Sequence, residues 1–137
     1  MTDKLLRILK NKLSSEKEVK FAYLFGSQAR KDAGNLSDID IAIYLDYDVD
    51  SFYYRLRFME TIVKAFKNEK VDIVVLNKAT PLLCHQVVKN GVVVKDDRRR
   101  RLNFEIQALK KYLDTEYLRN TQLLYMRTYI KAGAYFG

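Results

Sequence analysis

The stretch from Phe21 to Leu45, FAYLFGSQARKDAGNLSDIDIAIYL, constrains the fold of this chain more than any other. It sets an apolar, strand-length run before a Gly-Ser turn that opens a short helix, then a polar loop, then a second apolar run that begins with two aspartates one residue apart. Side chains alternate faces along a strand, so Asp38 and Asp40 point one way while Ile39, Ile41 and Ile43 point into the protein. Two carboxylates on one strand face make a metal-ion site. Gly26 tolerates close backbone approach, and the amides of the helix that opens at Ser27 hold anions such as phosphate. A metal site and a phosphate site therefore lie side by side. Arg30, three residues past Ser27, is placed either for a phosphate contact or as a solvated helix charge.

At 137 residues the chain has the length of one domain and can bury a core without disulfides or a structural metal. Its 48% hydrophobic and 31% charged residues are those of an ordinary soluble globular protein. The longest apolar runs are strand-sized, far short of the roughly 20 residues a membrane span needs. The N-terminal stretch TDKLLRILKNKL carries charge in every turn, unlike a signal peptide, so a cytoplasmic location is expected. A single cysteine, Cys84, excludes an intrachain disulfide and a cysteine zinc cluster, and reads as a small buried apolar residue. The net charge of +8 suits a protein that gathers phosphates. No aromatic-basic nucleic-acid module accompanies that charge, however, so direct nucleic-acid binding is not expected. The run Arg98 to Arg101 is either a solvated first helical turn or a contact for phosphate or an acidic partner.

Leu5, Leu6, Leu9 and Leu13 recur at helical spacing. Strands are expected at Val19 to Phe25 and Asp38 to Leu45, antiparallel because their connection is short. Asp50 or Ser51 caps a helix whose Phe52, Leu56, Met59, Val63 and Phe66 would pack on the sheet. Val71 to Leu76 reads as a strand buried on both faces. Asp72 is then anomalous, because a charged carboxylate there costs several kcal/mol unless paired; the Asp38 and Asp40 site is its evident partner. Thr80-Pro81 opens a helix that ends at Asn90-Gly91, and Val92 to Lys95 can add an edge strand. His85, without a second ligand or nucleophile, reads as a surface or packing residue. From about residue 98 to 132 the chain is helical, with a stripe of Leu102, Ile106, Leu109 and Leu113. Beyond Asp114 the phase shifts, so the helix either breaks there or exposes a second apolar face. Tyr112, Tyr117, Tyr125, Tyr129 and Tyr135 suit core packing or a partner surface.

The spacing Gly26-Ser27, ten residues, then Asp38-x-Asp40 resembles the signature of nucleotidyltransferases of the DNA polymerase beta superfamily. Within it, the short length and the wording GSQAR and SDIDIAI resemble the minimal nucleotidyltransferase (MNT), MntA-type antitoxins of HEPN/MNT toxin-antitoxin pairs, over about residues 1–95. The resemblance implies an α/β (α+β) nucleotidyltransferase fold, a small mixed sheet of three or four strands covered by helices. Residues 1–137 would form a single domain, with a core over about 1–95 and a helical C-terminal extension over about 98–132. It implies that Asp38, Asp40 and Asp72 hold Mg2+, as two ions, and that Gly26 and Ser27, with Arg30, hold the phosphates of ATP. The chain has little mass with which to enclose a small acceptor, and the family points to a HEPN-domain RNase toxin whose tyrosine receives AMP. Gln28 and Lys31 depart from the commoner family wording and bear on nucleotide preference. Two alternatives stay open: an antitoxin that masks its toxin by binding, with a vestigial nucleotide site, and transfer to a small-molecule hydroxyl.

Overall fold

The computed structural model describes residues 2–26 and 38–133. Its elements run α1 (Thr2–Ser14), β1 (Val19–Phe25), β2 (Ile39–Leu45), α2 (Ser51–Phe66), β3 (Val71–Val75), a 3-10 turn (Leu76–Lys78), α3 (Pro81–Asn90), β4 (Val92–Lys95) and α4 (Arg98–Gly133). The described strands form one mixed sheet in the order β3-β2-β1-β4. As the short connection predicts, β1 lies antiparallel to β2; it is also antiparallel to β4, and β3 runs parallel to β2.

Alternation along β2 builds a core on each sheet face. Ile39, Ile41, Ile43 and Leu45 meet Leu5, Leu9 and Leu13 of α1 and Tyr54, Phe58 and Ile62 of α2. Ala42 and Tyr44 meet Cys84 and Val87 of α3 and Phe104 and Ala108 of α4, together with Phe21 and Tyr23 of β1. Truncating one such buried leucine to alanine costs about 2–5 kcal/mol, so either layer alone decides whether the sheet persists. Polar groups tie neighbouring elements together. The Tyr54 hydroxyl donates to Glu16 Oε2 at 2.5 Å, where Arg57 also donates at 3.0 Å. The Tyr23 hydroxyl donates to Glu105 Oε1 at 2.6 Å, which Arg101 holds at 3.0 Å.

Helix ends follow the local chemistry. Asp50 caps α2 by accepting from the Tyr53 N–H, Lys67 ends it in the left-handed conformation, and Thr80 caps α3 with Pro81 behind it. Arg101 pairs with Asp96 and Arg100 with Asp97, which offsets part of the positive charge at the start of α4.

The structure departs from the sequence-based expectation at two places and decides between two readings at a third. On α2 the buried stripe is Tyr54, Phe58 and Ile62, while Phe52 and Leu56 are exposed; two apolar stripes overlap there, and burying Tyr54 gives its hydroxyl the Glu16 partner. β3 is an edge strand, so the Asp72 side chain is 59% exposed and carries no burial penalty. At Asp114 the second alternative holds: α4 runs unbroken past it and exposes further apolar side chains beyond, and the stripe Leu102, Ile106, Leu109 and Leu113 faces outward. The sheet instead selects Phe104 and Ala108, because small Ala108 lets the helix approach closely. Among the described residues no helix is long and apolar enough to cross a membrane.

Candidate active site

β2 and β3 start side by side, and their parallel register sets Asp40 opposite Asp72, one strand spacing of about 4.8 Å away. A hydrogen bond from the Ile39 N–H to the Lys70 carbonyl, 2.8 Å, fixes that register at the strand mouths. On the other flank β1 sets Phe25 opposite Asp40. The chain therefore leaves β1 at Gly26 against the same carboxylate. Gly26 has φ +73°, and a Cβ there would collide with Asp40 Oδ2, so the turn requires glycine. Asp38, just ahead of β2, completes the group: Asp38, Asp40 and Asp72 line one open cleft of about 430 Å³ with Glu69, Lys70 and Val71.

Partial burial first, then the charges of Asp72 and Asp38, push the Asp40 carboxyl above its usual range. The three aspartates singled out from sequence thus come together at one cleft, with Asp40 in the field of the other two. Ser27 and Arg30 lie outside the described residues. His85 stacks on Tyr112 with ring centroids 3.8 Å apart and serves packing between α3 and α4.

Residues 7–100 match the family model described as Polymerase beta, Nucleotidyltransferase. The chain belongs to this nucleotidyltransferase family. It is 26% identical over 110 residues to the protein adenylyltransferase MntA of Shewanella oneidensis, covering 80% of this chain and 76% of that protein. Among solved structures it resembles a toxin-antitoxin crystallised with AMP-PNP, at 24% identity and TM-score 0.74 over 92% of this chain and 98% of that one. It also resembles an MNT antitoxin in complex with the tri-AMPylated HEPN toxin of Shewanella oneidensis, at 23% identity and TM-score 0.75 over 93% and 99% of the two chains. At these identities the structural likeness establishes the shared fold.

Two further residues at or beside this cleft were not singled out from the sequence. Arg55 of α2 donates from Nε to the Ile73 carbonyl at 2.6 Å and places its guanidinium 3.5 Å from Asp72 Oδ1. Nothing local marks it, because only the packing of α2 on β3 brings it to the cleft. Lys70 lines the cleft as the residue before β3, and its one signal is its place two residues ahead of Asp72.

The donor set fits a hard divalent cation. Its ligating atoms are carboxylate oxygens, and Asp40 already feels like-charge repulsion that a cation would relieve. Among the described residues, no three His, Cys, Asp or Glu side chains stand in a finished metal-ligating array.

Proposed function

We propose that this chain is an antitoxin of the MntA type that transfers AMP from ATP to a tyrosine of a cognate HEPN-domain toxin, in the cytoplasm, with residues 1–137 acting as one nucleotidyltransferase domain. The observation that carries the reading is the lateral pairing of Asp40 with Asp72 against Gly26. Its relative is named a protein adenylyltransferase, and its structural neighbours include an antitoxin beside an AMPylated HEPN toxin.

Asp38, Asp40 and Asp72 would hold a pair of Mg2+ ions, which when bound neutralise the triphosphate and polarise its α-phosphoryl group. Gly26 leaves room for the phosphates beside Asp40, and the backbone amides from Ser27 onward, with Arg30, hold the β- and γ-phosphates. The acceptor phenol oxygen attacks the α-phosphorus. The bond to the bridging oxygen of the β-phosphate breaks, and pyrophosphate leaves. Asp72, on the exposed edge strand, is the carboxylate an incoming acceptor meets, and it takes the phenol proton. Arg55 positions Asp72 for this role without touching the reacting atoms. AMP on the toxin would set a bulky anion beside an RNA-cutting site and repel its substrate.

The test uses co-expressed chain and HEPN-domain toxin with ATP labelled at the α-phosphate. Label is expected on a toxin tyrosine, and Asp38→Asn with Asp40→Asn should lower transfer by more than about 100-fold while the melting transition persists. Neutralisation of the toxin without any transferred label would favour masking by binding alone.

A further inference from the structure

Among the described residues, α4 carries more exposed large hydrophobic side chains than all other elements together. Leu102, Ile106, Leu109 and Leu113 recur at spacings of four, three and four along one line, the pattern of a seam for a helix lying alongside at about 20°. Beside the seam, an apolar groove of about 290 Å³ opens between α3 and α4, lined mainly by Val88, Leu102, Ile106 and Leu109, with His85, Lys89 and Glu105 as its polar members. The stacked pair His85 and Tyr112 stiffens the α3–α4 contact beneath it.

The free charges around this groove and along α4 are mostly basic, since Glu105 in its wall is taken up by Tyr23 and Arg101. Lys89 lines it and Lys110 follows Leu109 on the exposed helix surface. Between Arg98 and Gly133 nine residues are Lys or Arg and three are Asp or Glu. Of those three, Glu105 is already engaged by Tyr23 and Arg101. Beyond Glu116 the helix carries Arg119, Arg127 and Lys131 and no acid.

We propose that the seam and groove dock an acidic amphipathic helix of the protein that accepts the nucleotidyl group; the inference rests on the macromolecular acceptor argued above. Apolar knobs of such a helix fill the groove, and its acidic flanks answer the basic rim. A second copy of this chain fits worse, since pairing α4 with itself sets a basic stretch against a basic stretch. A membrane surface also fits worse, because it needs one broad apolar face. The seam is instead narrow and borders a recess, and beyond Asp114 the exposed Leu118, Leu123, Leu124, Tyr125, Met126 and Ile130 spread around the helix.

The experiment measures binding of the full chain to its full-length HEPN-domain toxin by calorimetry, with Ile106→Glu/Leu109→Glu and, separately, Lys89→Glu/Lys110→Glu. All four positions are exposed, so circular dichroism and melting should match the wild type. Either pair should weaken toxin binding about 30-fold or more and raise the apparent KM for toxin, with kcat retained at saturating toxin. Wild-type affinity should also fall as salt rises. Wild-type affinity in both variant pairs overturns the proposal. So does a wild-type dimer in light scattering that Ile106→Glu/Leu109→Glu turns to monomer with toxin binding intact, or vesicles of phosphatidylserine that bind the chain through these residues while toxin binding is unchanged. If the variants lose toxin but the docked wild type transfers no AMP, the docking surface stands and the transferase reading falls.

Discussion

Gly26 and Asp40 share space that a single methyl group would fill. Gly26→Ala would force a left-handed backbone on a residue with a Cβ, at about 1–2 kcal/mol, and push the Asp40 carboxylate out of the cleft. We expect a fall in Tm of about 3–8 °C and loss of nucleotidyl transfer with toxin binding preserved, read by calorimetry and the label assay. Wild-type transfer in Gly26→Ala would sink the close-approach account. At this scale the sequence was informative where chemistry is local. Strand alternation put Asp38 and Asp40 on one face, and the Gly-Ser pair marked the turn. Asp72 was found through a mistaken premise, burial on both faces, although its register beside Asp40 is what matters. Arg55 was not legible at all, because its role exists only once α2 crosses β3.

Element boundaries were legible because caps and strand ends carry their own signals, as at Asp50, Thr80-Pro81 and Val19 to Phe25. Element faces were less so. α2 and α4 each offer two apolar stripes, and periodicity alone does not say which one a sheet will cover. On α4 the more continuous aliphatic stripe was left outside, while Phe104, Ala108 and the half-buried Tyr112 turned inward. The seating of α4 also changes along its length. Up to Tyr112 it touches the sheet or α3, whereas the described side chains from Asn120 to Thr128 are all exposed. Amide hydrogen exchange should therefore show strong protection near Phe104 to Tyr112 and protection falling toward Ile130, since helices far from packing open locally at low cost. Uniform protection across α4 in the isolated chain would contradict this.

Across the whole molecule, two tyrosine hydroxyls fasten elements to one another, one within the α1–α2 layer and one between the sheet and α4. Tyr54 of α2 bonds Glu16 in the turn between α1 and β1, and Tyr23 of β1 bonds Glu105 of α4. Burial first, then the adjoining carboxylate, raises both phenols above their ordinary value of 10.0. Since the fold favours the protonated phenols, their contribution is complete below pH 10.0 and is lost as pH rises above it toward the raised values. Melting curves from neutral pH upward should show wild-type stability dropping beyond about pH 10, and Tyr23→Phe/Tyr54→Phe should show a shallower decline. Each replacement should itself cost about 1–3 kcal/mol at neutral pH by removing a hydrogen bond to a charged carboxylate that its arginine still holds. Equal slopes would remove the tyrosines from the account. The length of α4 has another consequence. Its 36 residues span about 54 Å, yet the sheet rests on only the first part. The outer turns are thus free of the packing constraints that govern the core, and substitutions there leave folding and the aspartate cleft untouched. Partner choice and chemistry can then diverge independently, as with a key whose bow stays fixed while its teeth are recut.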